Sequence, residues 1–203
     1  MTKQQPFDIS PPLTTPFDAV RTWLEDAADA ESVYPEAAQL ATVDTAGIPN
    51  VRTVLIRRFG ESGFVFFTNL SSAKGKELAA FPRAALVFYW KALSRQLRAR
   101  GEIVQVTSTE ADAYFAGRPR ESQIGAHASK QSDTLTSRET FEEELAAFRN
   151  RFASTSVPRP SNWSGFRLIP TTIEFWEERP FRRHDRLLFE RSGDGWLHRQ
   201  LYP

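Results

Sequence analysis

Apolar positions along the chain change period several times, and each change marks an element. Val20, Trp23, Leu24 and Ala27 recur at helical spacing behind Thr15-Pro16, which predicts a helix over 16–31 with Thr15 as N-cap and Pro16 in its first turn. The period then drops towards two. Residues 40–44 read as a strand and 45–49 as its turn. Over 50–59, Val51, Thr53 and Leu55 alternate with Arg52, Val54 and Ile56. Gly60 to Gly63 closes a hairpin and 64–68 returns. A short helix is predicted over 71–81, capped by Ser71 or Ser72, followed by strands over 84–90 and 93–106. Thr107-Ser-Thr-Glu110 has capping-box spacing and starts a helix through Ala116. Residues 117–136 are polar without a period, whereas Phe141, Leu145 and Phe148 line one face of a helix over 137–152. After a loop over 153–164, four closing strands are expected at 166–169, 172–176, 186–189 and 196–201, with Ser192 to Gly195 as the last turn.

Seven or eight short strands joined mostly as hairpins, with three or four inserted helices, predict an α+β protein with an antiparallel, closed or split barrel at its centre. Residues 1–15, rich in Pro and Thr, read as a flexible arm, and 16–203 as a single domain. Lys plus Arg is 26 against 25 Asp plus Glu, a net charge of +1 that argues against nucleic acid or an anionic membrane as partner. The absence of Cys excludes thiol nucleophiles, iron–sulfur clusters and Cys-based zinc sites. No run reaches the roughly 18 apolar residues of a membrane span. With no signal pattern, the expected compartment is the cytoplasm.

His127, His184 and His198 lack metal-ligand spacing, and no metal site is expected. The glycine-rich phosphate loops and the Gly-x-Ser-x-Gly elbow are also absent. A phosphate would have to be held by side chains, and suitable ones cluster in four places. Arg52 and Arg57 share a strand. Ser71, Ser72 and Lys74 sit at a helix start, a natural anion site. Arg118, Arg120 and Ser122 follow Tyr114. Trp176, Arg182, Arg183, His184 and Arg186 close the series. Guanidinium groups and aromatic rings interleaved in this way suit a planar, phosphorylated small molecule, with rings and guanidinium planes stacking and cations holding the phosphate.

These segments resemble the pyridoxamine/pyridoxine 5′-phosphate oxidase family. The resemblance is carried by Arg52-Thr-Val-Leu-Ile-Arg57, Phe67-Thr-Asn-Leu-Ser-Ser-Ala-Lys74, Arg95-Gln96 and Tyr114 through Gly125. It continues in Ser129-Lys-Gln-Ser132, Ile173-Glu-Phe-Trp176 and Arg182-Arg-His-Asp-Arg186, and runs from about Trp23 to the last residue. It implies an FMN-binding split β-barrel, mostly antiparallel with peripheral helices, assembled as a homodimer with FMN at the subunit interface. It further implies oxidation of pyridoxamine or pyridoxine 5′-phosphate to pyridoxal 5′-phosphate with molecular oxygen as acceptor and hydrogen peroxide as product. By motif position, Arg52 and Lys74 would hold the FMN phosphate, with Gln131 and Ser132 nearby in the cofactor site. Thr53, Val54, Leu55, Ile56, Phe67 and Thr68 would line the flavin, and Gln96, Trp176 and Arg186 would meet its ring or polar edge. Arg57, Tyr114, Arg118 and Ser122 would bind the substrate phosphate, with Arg182 and His184 over the pyridine ring as catalytic residues.

Three positions depart from the family pattern: Arg57 stands where Lys is usual, Ala73 where Arg is frequent, and Phe67 where Tyr is usual. A planar guanidinium does not replace a compact ammonium freely. Two other readings follow: a split-barrel flavoprotein oxidising a different aromatic, as in phenazine pathways, and a non-catalytic carrier of FMN or pyridoxal phosphate.

Overall fold

Thr15 caps the first helix as its sequence predicts, its hydroxyl accepting from Phe17 N–H at 3.3 Å. The computed structural model describes residues 15–31 and 33–203, so apart from Thr15 the expected arm lies outside the described residues. Helix α1 (Pro16–Ala30) buries Phe17, Val20, Trp23 and Ala27. The Trp23 ring stands nearly perpendicular to Phe175 at 5.0 Å and to Trp90 at 6.2 Å. These rings belong to the main core with Phe64, Phe66, Phe88 and Phe189. Fully burying each such side chain stabilises by roughly 1.5–3 kcal/mol.

The strands are β1 (Ala37–Val43), β2 (Pro49–Leu55), β3 (Arg58–Gly60), β4 (Gly63–Asn69), β5 (Arg83–Trp90), β6 (Arg95–Gln105), β7 (Trp163–Glu177), β8 (Asp185–Ser192) and β9 (Gly195–Gln200). Every pairing is antiparallel, in the order β2-β1-β5-β6-β7-β4-β3, with β8 added to β7 and β9 to β8. Strand β7 is where the curled sheet divides. Its first half pairs with β4 and its second half with β8, while β6 runs beside most of its length. The fold is therefore the split barrel expected, an α+β architecture built on antiparallel hairpins.

Three sequence expectations need correction. The separate strands at 166–169 and 172–176 are one strand. The interruption between them is a bulge, where the register with β6 shifts between Arg100 and Gly101 opposite Pro170. Pro170 has no N–H to give a ladder, and the Thr171 hydroxyl donates to Arg100 O instead. The chains approach so closely here that a Cβ on Gly101 would lie 1.9 Å from Ile169 O. Second, the predicted strand over 50–59 breaks into β2 and β3 around Ile56. Third, the polar stretch 117–136 contains helix α4 (Arg120–Ala128). With α2 (Ala73–Ala80), α3 (Ser108–Ala116) and α5 (Arg138–Arg151), the described residues hold five α-helices and nine strands. Helices α3 and α4 enclose a second core of Phe115, Ile124, Phe152, Val157 and Trp163, against which Phe67 and Tyr114 pack. None of the described helices is long and apolar enough to cross a membrane.

Candidate active site

The main sheet and the second core leave between them a cleft of about 930 Å³, walled by β2, β4, α3, α4 and the segment following α4. It gathers eleven of the residues picked out by sequence: Thr53, Val54, Leu55, Arg57, Phe67, Thr68, Lys74, Tyr114, Arg118, Ser122 and Gln131. Its lining includes four cations (Arg57, Arg58, Lys74 and Arg118) and no carboxylate. A near-neutral protein thus concentrates positive charge in one concave place, as an anionic ligand requires.

At one end, β4 delivers Thr68 and Asn69 to the start of α2. Ser72 caps that helix, accepting from Gly75 N–H at 3.3 Å and donating to Asn69 O at 2.7 Å. A Cβ on Gly75 would lie 2.2 Å from Leu70 O, so glycine lets the helix sit this close to the strand end. The Lys74 ammonium donates to Gln131 Oε1 at 3.0 Å and Thr68 Oγ1 at 3.2 Å, with Ser72 Oγ at 3.5 Å. All three partners are neutral. Burial, followed by the Arg52 charge, lowers the Lys74 pKa, and Glu77 only partly opposes this. Ser132 lies beside this group rather than in the cleft lining, its hydroxyl accepting from Ala73 N–H at 3.2 Å. Ala73 thus meets Ser132 through its backbone although its side chain can make no phosphate contact.

Arg52 lies behind Lys74, outside the cleft lining. Its Nη2 donates to Glu77 Oε2 at 2.8 Å, and its Nη1 donates to the Thr42 hydroxyl. Glu77, nearly buried, also accepts from Thr42 and from Asn50 Nδ2 at 2.8 Å. Burial pushes this carboxyl up, but the hydrogen bonds from Thr42, Asn50 and Arg52 and the Arg52 charge outweigh it, and its pKa ends below the usual carboxylate value. A depressed folded pKa gives stability that is present above the unfolded value of about 4.3 and lost as pH falls through the folded one. Glu77→Gln leaves Arg52 partly buried without its counter-charge, a defect of about 3–5 kcal/mol near neutrality. Thermal midpoints should show that gap closing as pH falls below about 4.3; a gap independent of pH would contradict this assignment.

At the other end, three rings lie nearly parallel. Phe67 stacks on Tyr114 at 3.8 Å and 3°, and on Trp163 at 5.5 Å and 7°. Gly165 makes this possible, since a Cβ there would come within 2.8 Å of the Phe67 ring. Phe67 is therefore tied up in supporting Tyr114; nothing in the structure explains a phenylalanine rather than a tyrosine at this position. The Arg118 guanidinium lies 4.8 Å from the Trp163 ring centre and 5.6 Å from that of Phe115. Its Nη1 is buried without a hydrogen-bond partner. Burial lowers its pKa, Tyr114 opposes this, and the Arg57 charge lowers it further. An unsatisfied buried guanidinium nitrogen facing other cations is a ready anion receptor. Arg57 itself also pairs with Glu36 at 2.8 Å.

The remaining predicted residues do not reach this cleft. Ile56 turns its side chain into the main core and donates its N–H to Glu36 O at 3.0 Å. Gln96, Trp176 and Arg186 form one cross-strand row over β6, β7 and β8. Arg186 is held by Glu174 at 2.9 Å and by Tyr202 O at 3.0 Å. His184 stands against Trp176 at 4.7 Å and lines a separate hollow of about 230 Å³ with Arg186 and Leu201, while Arg182 points to solvent. Sequence reasoning missed Arg58, Glu77 and Trp163. Trp163 has a signal, an aromatic two residues before a glycine at the end of a Pro-rich loop, whereas nothing local marks Glu77 as the partner of Arg52.

Residues 24–152 match the family model described as pyridoxamine 5′-phosphate oxidase, and residues 163–203 match that of the pyridoxine 5′-phosphate oxidase C-terminal dimerisation region. The pyridoxine/pyridoxamine 5′-phosphate oxidase of Chelativorans sp. (strain BNC1) is 52% identical over 189 residues, 93% of this chain and 90% of its own. The protein of the same name from Azorhizobium caulinodans is 53% identical over 190 residues, 93% of this chain and 90% of its own. Among solved structures, PhzG from Burkholderia lata 383, in complex with tetrahydrophenazine-1-carboxylic acid, superposes with a TM-score of 0.91 at 31% identity. That match covers 100% of this chain and 99% of the other.

Proposed function

The chain belongs to the pyridoxamine 5′-phosphate oxidase family, and from that membership we propose that it is an FMN-dependent oxidase converting pyridoxamine or pyridoxine 5′-phosphate to pyridoxal 5′-phosphate. The observation that carries the reading is the cleft with two separate anion receptors at its ends, Lys74 among neutral oxygens and Arg118 with an unsatisfied nitrogen. One receptor suits the phosphate of the cofactor and the other that of the substrate. Thr53 to Leu55 of β2 line the same cleft, where a flat ring system could lie.

The residues fit FMN in kind. Lys74 supplies a cation that no carboxylate contacts directly among the described residues, Thr68, Gln131 and Ser132 supply neutral partners, and Arg52 adds charge from behind. When bound, the flavin supplies a two-electron acceptor that oxygen can regenerate. The chain's own contribution is placement. Tyr114, Arg118 and Ser122 fix the substrate by its phosphate, so that the C4′ carbon is held at one distance from the flavin, the kind of orientation that can account for a large share of rate enhancement. The alcohol substrate and oxygen give aldehyde and hydrogen peroxide; the amine substrate also takes up water and releases ammonia.

The row of Gln96, Trp176 and Arg186 and the residues Arg182 and His184 complete this site only from a second copy. We therefore read the protein as a homodimer in which the C-terminal strands of one protomer close the cleft of its partner. The match of residues 163–203 to a dimerisation region supports this. The structural likeness to PhzG favours a second reading, oxidation of a reduced tricyclic aromatic. Mixing the FMN-loaded protein anaerobically with pyridoxamine phosphate or pyridoxine phosphate decides between them. Bleaching of the flavin band with formation of pyridoxal phosphate is expected. Bound flavin that neither substrate bleaches would sink the oxidase assignment and favour the second reading.

A further inference from the structure

We propose that Arg179 is a positioning residue that clamps the segment 178–184 and so fixes Arg182 and His184 in the arrangement the reaction uses. This rests on the oxidase reading, in which those two side chains face the substrate ring.

The segment joins β7 to β8 and is built in a way that needs holding. Phe181 and Arg182 both have a φ of 60°, left-handed backbone that residues with a Cβ adopt only where the surroundings over-determine it. Within the protomer those surroundings are not apolar packing, because Phe181 is 89% exposed and Arg182 is exposed as well. The contacts the protomer itself supplies to hold the strain lie at the ends of the segment.

Arg179 spans those ends. Its Nη2 donates to Glu177 Oε2 at 2.7 Å, on the last residue of β7, and its Nε donates to Asp185 Oδ2 at 2.6 Å, on the first residue of β8. Its backbone N–H donates to His184 Nδ1 at 3.3 Å. The anchor is sunk in the core. Glu177 is 1% exposed, and its other oxygen accepts from Arg95 Nε at 2.9 Å. Arg95 in turn pairs with Asp26 of α1 at 2.6 Å and lies over the Trp23 ring at 4.9 Å. Charges alternate along Asp26, Arg95, Glu177, Arg179 and Asp185, so the buried carboxylate is doubly compensated and the clamp is tied to the first helix.

Two consequences follow for the site. Because Nδ1 accepts a backbone hydrogen bond, the proton of the neutral His184 ring sits on Nε2, leaving that nitrogen a donor. Because both ends of the segment are tied to one guanidinium, Arg182 is presented outward at a fixed angle. Lysine cannot do the same, since a single ammonium lacks the planar geometry that meets two carboxylates at once.

The test uses the FMN-loaded protein and a double-mutant cycle. Arg179→Ala should lower kcat by about 10- to 100-fold with KM and flavin content little changed, the size of effect that a misplaced group produces. Arg179→Lys should recover only part of the loss. In an Arg182→Ala background, Arg179→Ala should cost clearly less in kcat than it does in the native protein, because the part of its effect that passes through Arg182 is already gone and only the part through His184 remains. Hydrogen exchange of residues 178–184 should quicken in Arg179→Ala and not elsewhere in the sheet. If the alanine variant does not fold, Asp185→Asn, which weakens only the Nε contact, should show the same changes to a lesser degree. Native kcat in Arg179→Ala, losses that simply multiply with those of Arg182→Ala, or unchanged exchange would each overturn the proposal. Native turnover in Arg182→Ala alone would overturn it together with the assigned role of that loop, whereas an impaired Arg182→Ala beside a native Arg179→Ala would remove the clamp and leave that role standing.

Discussion

Replacing Arg118 by alanine is expected to lower kcat/KM for the phosphorylated substrates by about 10²–10³-fold, mostly through KM, with flavin content unchanged. A hydrogen bond to a charged group contributes about 1.5–3 kcal/mol. Two of them to a phosphate, each taken near the lower end of that range, come to roughly 3–4 kcal/mol, and each 1.4 kcal/mol is a factor of about ten. The site supports a value at the upper end, because the guanidinium is already partly desolvated and its Nη1 has no partner to give up. For the same reason the variant should lose little stability. What disappears from the folded protein are the cation–π contacts with Trp163 and Phe115, each of order 0.5–2 kcal/mol, and the cost of a buried unsatisfied donor goes with them. Arg118→Lys should recover only part of the loss, since an ammonium keeps the charge but not the plane that lies over Trp163. Steady-state kinetics with pyridoxamine, which has no phosphate, provide the control: Arg118→Ala and the native protein should turn it over at similar rates. An unchanged KM for the phosphorylated substrate would remove Arg118 from the site.

Local chemistry was legible in the sequence wherever a single segment determines its own structure. Thr15 before Pro16 caps α1. The capping box between Thr107 and Glu110 closes in both directions, with Glu110 N–H donating to the Thr107 hydroxyl and Thr107 N–H to the Glu110 carboxylate. Ser72 and Lys74 mark a helix start by residue type alone. Legibility ends where a distant segment decides. Helix α4 has too few apolar residues to declare a period; it is fastened by Gln123 Nε2, which donates to Phe115 O at 2.8 Å at the end of the preceding helix. Strand β7 reads as two strands because Pro170 interrupts the ladder pattern, yet Gly101 on a neighbouring strand lets the bulge pack and keeps β7 continuous. The candidate site divides in the same way. Three of its four cations, Arg57, Lys74 and Arg118, could be picked out along the chain, but not Arg58, nor that Arg52 would be held by Glu77, or that Phe67 would be used to support Tyr114. Nor did the spacing of Arg182, His184 and Arg186 indicate that they would stand apart from the cleft within one protomer. Such facts depend on which side chains meet across the sheet, and periodicity along one strand carries no information about its partner.

Lys74→Ala should weaken FMN binding by about 10²-fold, the loss of roughly 3 kcal/mol of charge-assisted bonding. In the free protein this ammonium is poorly placed, half-desolvated, beside the Arg52 charge and bonded only to neutral oxygens. A phosphate dianion would offset these costs by giving Lys74 the counter-charge that its neutral partners do not supply. The apo form of the variant should therefore be about as stable as the native apo protein, while the rise in thermal midpoint on adding FMN should shrink sharply. At a fixed excess of flavin, a hundredfold weaker Kd removes about 2.7 kcal/mol of ligand-linked stabilisation. Because the site is partly buried, added salt should weaken binding less than it would weaken that of an exposed cation. Ala73 offers a second handle, since its backbone N–H already meets Ser132 at the start of α2. Placing Arg there in the Lys74→Ala background should return part of the lost affinity, by supplying a cation at the same helix N-terminus. Thermal shift and flavin fluorescence titrations of the four proteins (native, Lys74→Ala, Ala73→Arg and the double variant) measure this directly. If Lys74→Ala binds FMN as tightly as the native protein, the phosphate is not held at the start of α2.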